Sequence, residues 1–597
     1  MNKRKSWRYL KLMKQPFAVA AGLTAMGAAQ AAPINLGVPD WRLNADTTLR
    51  FNTGVRVQDR DDKIAGNTFN DESDYKFDQG DIINARLDVL EEVDLSYQNR
   101  YGVRVSGAGW YDQAYHDTDV KTHPGTYNST FVIPEGSPGA GTAIPVSVPY
   151  SELSSYYGNQ YSNYTKRYYR GPSGEVLDAF AFALFQLGDV SVNVKAGQHT
   201  IYWGEGLFFG NQAISYSQAP IDGLKAITSP GIETKEVFLP VAQISSVAQL
   251  TGNLSVAVQY FLDWKPSRNP EGGTYLGAVG WLFQGPDRFF TGTVLPGAVV
   301  GASTDQPVFL ARKSANEPDA EGNYGAMMRY ATPWWGGGQL GLYYRKFDEV
   351  TPYSAPEVVQ TSPTPSAEGG LNAGTYALAY NRGTQLVGAS YSQALGGISY
   401  AGEVSYRFDS ALNNVGIAAD GRGPRGNLLN AVVNAIIVLP TTFVAPTGQV
   451  IAEIAYTHLD KITDHEELYN GNGTANCPPG SGGKRAGCST DNYLAAQVNV
   501  EPQWPQTFAG VDLSAPISVS YGITGNYAGI GGGNQGSMVY SAGIKAFIRQ
   551  LYEVTLSYQG SYAKHEDVND AGYYPGGSGT YFYNDRGRIM LTAKTTF

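Results

Sequence analysis

The sequence is poor in charged residues, cysteines and long apolar runs. Charged residues make up 16% of the 597 positions, below the roughly 25% typical of soluble globular proteins. Two cysteines are too few for a cysteine-ligated metal centre without further ligands. Beyond the N-terminal segment, no stretch reaches the roughly 18 apolar residues of a transmembrane helix. The excess of 53 acidic over 43 basic side chains argues against a nucleic-acid partner.

Glycine and tyrosine are abundant instead, with 72 and 41 residues. This composition favours many short strands, tight turns and an aromatic girdle over a set of helical domains. Because 42% of the residues are apolar and 12% aromatic, general disorder is excluded.

The N-terminus has the pattern of a secretory signal peptide. An apolar, alanine-rich stretch over 17–28 precedes the A-x-A sequence Ala29-Gln30-Ala31. We therefore predict cleavage after residue 31 and a single mature domain over 32–597. Loss of the six N-terminal positive charges takes the formal net charge from −10 to −16. These charges are Lys3, Arg4, Lys5, Arg8, Lys11 and Lys14.

Apolar and polar residues alternate with a period of two near the C-terminus. Ile589 and Leu591 fall on one face, and Arg588 and Thr592 fall on the other. Segments 551–562 and 254–264 show the same alternation, with tyrosine or tryptophan capping the apolar face. A soluble β-sandwich would also alternate, but aromatic caps at strand ends favour a barrel in lipid.

The predicted fold is all-β: a transmembrane antiparallel β-barrel of about 16–18 strands, with short periplasmic turns and long extracellular loops. Short and long connections alternate along most of the chain. The alternation breaks after the candidate strand 374–381, because the join at Leu395-Gly396 is short and segment 408–447 is long. Either the strand count slips there, or 408–447 is a plug. Its part 427–439 has apolar residues at helical spacing, so it is either a short amphipathic helix or a misread strand pair.

Segment 203–235 is too apolar for an ordinary surface loop, and we predict that it folds inward as a constriction. The candidate constriction residues are Trp203, Glu205, Phe208, Phe209, Asp222, Lys225, Glu233, Lys235 and Glu236.

The inward faces of the predicted strands carry nearly equal numbers of positive and negative side chains. A pore selective for one sign of ion would show a biased ring. We therefore predict that these charges pair with one another and hold the barrel or a plug; direct contact with a substrate is the alternative for some of them. The lumen charges are Arg50, Arg86, Asp88, Glu92, Arg104, Arg329, Arg345, Glu403, Arg407, Glu453 and Lys545.

Three long loops have distinctive compositions. Cys477 and Cys488 lie close together, which predicts one small disulfide in an exported chain. The acidic loop 59–78 is interpreted as solvated, and the tyrosine-rich loop 114–174 as exposed.

We find no catalytic constellation, cofactor fingerprint or metal-ligand set with the spacing its chemistry requires, and the sequence does not predict an enzyme.

Four elements of the sequence carry distinctive motifs. The longest two run from Gly197 through Tyr202-Trp203-Gly204-Glu205, and from Ser229 through Glu236 to Leu239-Pro240-Val241; the others are Trp110-Tyr111-Asp112 and Gly273-Thr274-Tyr275. With these motifs the chain resembles a family of proteobacterial outer-membrane proteins catalogued as a domain of unknown function. The resemblance implies a large barrel, broadly similar to long-chain fatty-acid uptake barrels. It also implies partnership with a lipoprotein-like periplasmic protein and an RND-type inner-membrane transporter.

The sequence thus favours a barrel in the outer membrane of a Gram-negative bacterium, in contact with its lipid and lipopolysaccharide. The leading hypothesis is conduction of a hydrophobic or amphipathic molecule. The alternatives are a general diffusion porin for small polar solutes and a surface adhesin acting through the long loops.

Overall fold

The computed structural model describes residue 34, residues 36–333 and residues 337–597. The predicted signal peptide, residues 1–31, lies outside the described residues.

Eighteen antiparallel strands form one closed barrel, which confirms the predicted fold class. The first strand pairs with the last, with Thr48 opposite Thr596 and Arg56 opposite Arg588. The strands are β1 (Trp41–Arg56), β2 (Ile82–Tyr97), β3 (Tyr101–Asp112), β4 (Ser173–Leu187), β5 (Val190–His199), β6 (Val241–Gln249), β7 (Leu254–Phe261), β8 (Tyr324–Thr332), β9 (Gly338–Phe347), β10 (Thr384–Leu395), β11 (Ile398–Ala411), β12 (Arg425–Leu439), β13 (Thr447–Asp464), β14 (Asn492–Phe508), β15 (Val511–Ser514 and Ile517–Thr524), β16 (Met538–Ile548), β17 (Tyr552–Tyr562) and β18 (Arg588–Thr596).

Strand β15 is interrupted at Ala515-Pro516, where proline supplies no backbone N–H. Both of its pieces pair with β14 and with β16. The wall is therefore continuous across the interruption.

The barrel has two unlike rims. At one rim, which we call the short-turn rim, brief turns such as Gly188-Asp189 and Gly396-Gly397 join the strands. At the other, the long-loop rim, connections such as residues 113–172 and 262–323 are long. Short and long connections alternate regularly around the whole barrel when β12 is counted as a wall strand.

The plug interpretation of 408–447 and the helix interpretation of 427–439 are wrong, because residues 425–439 form the wall strand β12. Val432 points into the lumen and is fully buried, whereas its neighbour Val433 is 61% exposed on the outside. Apolar residues on both faces hide the period of two that identifies other strands. The candidate strand 374–381 overlaps Leu371–Ala377, which belongs to a sheet in the loops and not to the wall.

The outer surface of the wall is apolar. Apolar side chains at alternate positions of the strands point outward and are about half exposed, as at Val258, Val404, Ile454 and Leu556. Aromatic side chains lie near both rims. At the short-turn rim, Trp41 lies beside Tyr97 and Tyr101 beside Phe185. At the long-loop rim, Tyr324 lies beside Tyr344 and Tyr406 beside Phe408. An apolar band between aromatic girdles is the surface that lipid requires of a spanning barrel.

The helices of the described residues are all short. They are α1 (Asp62–Ala65), α2 (Asp71–Tyr75), α3 (Asn163–Tyr169), α4 (Gly223–Thr228), α5 (Thr234–Val237) and α6 (Gly297–Val300), with 3₁₀ turns at Gln113–Tyr115, Tyr150–Glu152, Tyr157–Asn159, Glu466–Leu468, Gly483–Ala486 and Tyr581–Tyr583. None of the described helices is long and apolar enough to cross a bilayer.

The long loops pack into a cap over one end of the barrel. It contains a two-stranded sheet (Thr126–Val132 and Ala143–Pro149) and a four-stranded sheet (Arg288–Leu295, Gln306–Arg312, Leu371–Ala377 and Glu357–Pro365). Cys477 and Cys488 form a disulfide within the cap.

Because the cap has a core of its own, the expectation of an exposed tyrosine-rich loop is wrong, and that of a solvated acidic loop holds for Asp59, Asp62 and Asp78 but is wrong for residues 71–74. Tyr156 and Tyr161 of the tyrosine-rich loop are buried, and their rings pack edge to face at 5.2 Å. In the acidic loop, Glu72 and Asp74 are buried as well. Asp74 pairs with the buried Arg56 of β1 at 2.8 Å, so its charge is compensated within the protein.

Candidate functional site: the lumen and the segment that crosses it

Residues 200–240, which we call the crossing segment, join the neighbouring strands β5 and β6 but contact strands on opposite sides of the barrel. Glu236 pairs with Arg50 of β1 at 2.6 Å. The backbone at Leu207 reaches Glu453 of β13. Because the barrel closes between β18 and β1, β13 lies six strands from β1 and eight strands from β5, where the segment begins. The segment therefore traverses the lumen.

On the far side, a wall carboxylate holds three consecutive backbone N–H groups of the crossing segment. Leu207, Phe208 and Phe209 donate to the Glu453 carboxylate at 2.5, 2.8 and 2.8 Å. Asn434 of β12 donates to the Glu205 carbonyl at 2.7 Å and to Glu453 at 3.2 Å. Successive N–H groups that converge on an anion form a nest, which here is filled by a side chain of the wall.

A second wall carboxylate works in the same way. Glu403 of β11 accepts from the backbone N–H groups of Glu205 at 2.5 Å and Ile214 at 2.7 Å. The Glu205 side chain itself lies 4.0 Å from Arg329 of β8, a looser contact.

Two buried arginines bind the carbonyl groups of the same stretch. Arg345 of β9 donates to the carbonyls of Ile214 at 2.9 Å and Tyr216 at 2.7 Å. Arg407 of β11 donates to the carbonyl of Asn211 at 2.7 Å. The wall therefore satisfies both the N–H and the C=O groups of a segment that has no regular structure between 205 and 216.

On the near side, side-chain ion pairs replace these backbone contacts. Glu236 pairs with Arg50, and both side chains are at most 2% exposed. Glu233 pairs with Lys594 of β18 at 2.8 Å. Lys235 bridges Glu233 at 2.8 Å and Glu92 of β2.

A charge network fixes the N-terminal half of helix α4. Asp222 accepts from the Lys225 N–H at 2.8 Å and pairs with Arg268 at 2.9 Å. Lys225 and Arg268 both pair with Glu175 of β4, at 2.6 and 2.7 Å. Arg268 was not among the predicted site residues, since it lies in the following long connection.

The aromatic residues of the crossing segment pack against the wall. Trp203 is 3% exposed and shares a core with Tyr216 and the wall residues Phe347 and Leu386. Phe209 packs against a second core at β12–β14, and Phe208 is half-buried. The nine predicted constriction residues all belong to this lumen-crossing structure.

The predicted lumen charges face inward, and most are paired. Arg86 contacts Asp88 at 2.8 Å, and Arg104 contacts Asp94 at 2.8 Å and also Glu92. Arg50, Glu403, Arg407 and Glu453 hold the crossing segment as described above. Lys545 of β16 pairs with Glu501 of β14 at 3.3 Å, away from that segment.

A second insertion was missed from the sequence. Tyr275, in the long connection after β7, enters the lumen from the long-loop rim and packs in one core with Met590 of β18 and Leu224 of α4. Arg586 donates to the Tyr275 carbonyl at 2.7 Å. Nearby Glu271 accepts from the Gly285 N–H at 2.6 Å, and burial raises the pKa of its carboxyl group to about 8. In the sequence, Gly273-Thr274-Tyr275 was noted only as part of the family resemblance, and that resemblance does not indicate that Tyr275 is buried.

On the short-turn side of the crossing segment lies a cavity of about 800 Å³. Its wall comes from β2 to β5, and its roof from the crossing segment. Six of the sixteen lining residues are apolar or aromatic, and five are charged. The lining residues are Asp94, Arg104, Asp178, Phe180, Phe182, Asn193, Lys195, His199, Thr200, Ile201, Tyr202, Gly206, Leu207, Thr234, Lys235 and Phe238.

The opposite wall of the lumen is polar. Inward residues of β14 to β17 are small or uncharged for the most part and are half-buried; they include Gln497, Asn499, Ser518 and Ser557. Among the described residues, no group of three or more histidine, cysteine, aspartate or glutamate side chains could hold a metal ion.

These features define a membrane-spanning β-barrel whose lumen is crossed by an inward segment and capped by long loops. The chain belongs to the family described as "Protein of unknown function (DUF1302)", whose model matches residues 12–597. This confirms the family resemblance, while the likeness to fatty-acid uptake barrels stays a prediction. No curated protein matches the chain.

Several solved outer-membrane proteins are similar to the chain at low sequence identity. DcaP, an outer-membrane channel of Acinetobacter baumannii, is 9% identical over 95% of this chain and 100% of its own, with a TM-score of 0.35. OpdK of Pseudomonas aeruginosa with vanillate is 9% identical over 93% and 98%, with a TM-score of 0.38. A BenF-like porin of Pseudomonas fluorescens Pf-5 is 9% identical over 94% and 99%, with a TM-score of 0.37. The barrel assignment itself depends on the strand pairing within this chain.

Proposed function

We propose that this protein is an outer-membrane barrel of a Gram-negative bacterium that conducts a hydrophobic or amphipathic molecule. The observation that carries the proposal is the aromatic cavity beneath the crossing segment. Phe180, Phe182 and Phe238 line it, whereas the lumen of a water-filled porin is polar. An apolar surface inside the lumen suits a cargo that water does not dissolve well.

In this proposal, the short-turn rim faces the periplasm and the cap of long loops faces the outside. The apolar band contacts membrane lipid, and the outer girdle meets lipopolysaccharide. The crossing segment obstructs the lumen at rest. Passage occurs when its stretch 205–216 leaves Glu403 and Glu453, while the ion pairs at Glu233 and Glu236 keep the segment attached to β1 and β18.

The proposal includes a periplasmic partner and an RND-type transporter, supported by the family resemblance alone. Phe443, in the turn between β12 and β13 at the short-turn rim, is fully exposed. A photo-crosslinking residue at this position in living cells should form adducts with a periplasmic protein. Adducts with lipid only would contradict the partnership and leave the conduit untouched.

The conduit is tested by single-channel conductance of the purified mature protein in a planar bilayer. A variant lacking residues 206–220 serves as the comparison, because the deletion also removes the backbone N–H groups that bind Glu453. We expect a closed or flickering wild type and a larger conductance for the variant. Equal conductance of the two proteins would refute the obstruction.

One observation favours a general diffusion porin as the second candidate. The polar, half-buried wall of β14 to β17, with Asn499 and Ser557 among its inward residues, resembles the lining of an aqueous pore. A large, steady conductance of the intact protein would favour this function over the conduit.

A further inference from the structure

We propose that the cavity beneath the crossing segment is a binding site for an amphipathic anion, such as a molecule with one carboxylate and an apolar body, and that Lys195 binds its charged group. This inference rests on the proposed conduit and names the chemical class of its cargo.

The charges that line the cavity are compensated within the protein, with one exception. Arg104 has carboxylates at Asp94, 2.8 Å away, and at Asp178, 3.3 Å away. Lys235 pairs with Glu233 at 2.8 Å. For Lys195, the described residues provide no carboxylate within ion-pairing distance. Its ammonium group instead lies 5.1 Å from the centroid of the Phe180 ring.

The position of Lys195 makes its charge available to a ligand. It lies on β5 directly opposite Phe182 of β4 and beside Ser245 of β6, on the face that points into the lumen. It is half-buried, so it borders the cavity without being sealed in the wall. The ammonium group attracts an anion, and the Phe180 ring offers an apolar surface immediately beside it.

The remaining lining supplies the apolar half of the site. Phe180, Phe182 and Phe238 are half-buried, and Tyr202 and Leu207 of the roof are each 45% exposed. This much apolar surface facing water inside a lumen is unfavourable unless a ligand covers it. A volume of about 800 Å³ falls in the range of known small-molecule sites, which is roughly 300 to 1,000 Å³.

The two halves together select the ligand class. A neutral hydrophobic molecule would leave the Lys195 charge without a partner, and a small inorganic anion would leave the phenylalanine rings uncovered. A metal ion or other cation would meet the unpaired ammonium. An amphipathic anion satisfies both halves, and passage through the roof would bring it to the rest of the lumen.

The test measures binding of dansyl-undecanoate and of its neutral methyl ester to the full barrel in nanodiscs of neutral lipid, with empty nanodiscs subtracted. We expect the wild type to prefer the carboxylate about tenfold, a modest value for a charge-assisted hydrogen bond in a cavity open to water. Lys195→Gln should lose this preference, and Lys195→Arg should keep it. Phe182→Ala should weaken both probes, because it removes apolar lining.

Lys545→Gln is the matched control, since Lys545 is an inward lysine on the far wall and does not line the cavity. Binding by Lys195→Gln that equals the wild type, or equal binding of acid and ester by the wild type, overturns the inference. Conductance is recorded on the same preparations. Lys195-dependent binding in a freely conducting barrel upholds the site and refutes the conduit, whereas an obstructed barrel without Lys195 dependence refutes the site alone.

Discussion

The attachment of the crossing segment at Glu403 and Glu453 leads to the most direct prediction. The double variant E403Q/E453Q keeps the shape of both side chains and removes both charges. Five backbone N–H groups donate to these two carboxylates at 2.5 to 2.8 Å. A glutamine presents one acceptor oxygen instead of two and turns an amide N–H₂ toward donors, so several of these bonds are lost or weakened.

The size of the effect follows from the number of bonds. A hydrogen bond to a charged group contributes about 1.5–3 kcal/mol, and a neutral one about 0.5–1.5 kcal/mol. A loss of about 1 kcal/mol for each of the five bonds gives about 5 kcal/mol in total. This shifts the equilibrium between attached and detached segment by more than a thousandfold, since about 1.4 kcal/mol corresponds to a factor of ten.

The assay is single-channel conductance in a planar bilayer, with Glu501→Gln as the control. Glu501 is an inward carboxylate that pairs with Lys545 and accepts from Ser514, and neither partner belongs to the crossing segment. We expect larger and noisier conductance for E403Q/E453Q and wild-type behaviour for the control. A double variant that folds as a barrel and conducts like the wild type would refute the reasoning.

Two further predictions concern stability. Arg50→Ala should destabilise the barrel by about 3–5 kcal/mol because it leaves the Glu236 carboxylate buried without a partner. Denaturant unfolding measures this loss of stability. The double variant Arg50→Ala with Glu236→Ala should lose less stability than Arg50→Ala alone. Burial raises the pKa of Glu271 from 4.5 to about 8, so its contribution to stability is complete below pH ~4.5 and is lost as pH rises through about 8. Glu271→Gln should therefore gain stability relative to the wild type between pH 5 and 9 in thermal unfolding, and a pH-independent difference would contradict the assignment.

The wall could be predicted from the sequence wherever one face meets lipid and the other meets water or charge. In β7, the alternation of Val258 and Gln259 is of this kind, because Gln259 is buried inside while Val258 is exposed outside. In β12, the inward side chains Leu428 and Val432 are buried, and Phe209 of the crossing segment packs against the core that contains Leu428. The period of two disappears for a physical reason, and the strand was missed.

The members of the candidate site could be predicted, but their partners could not. Charged residues in an apolar stretch indicate pairing with the wall, yet the contact between Arg50 and Glu236 joins positions 186 residues apart. Arg345 and Arg407 bind backbone carbonyls, which leave no signal in the side chains of the crossing segment. Burial of Tyr156 and Tyr161 depends on loops that are distant in sequence, so composition alone suggested exposure.

The near balance of positive and negative charges in the lumen has a structural cause. A chain that crosses a lumen without regular structure leaves both N–H and C=O groups to be satisfied. Carboxylates such as Glu453 satisfy the first kind and guanidinium groups such as Arg345 the second, so the wall needs both signs. These charges therefore do not act as an ion-selective ring. Lys195 differs from these charges because, among the described residues, it has no carboxylate partner and binds no part of the crossing segment. We therefore expect a ligand to bind through the charge of Lys195.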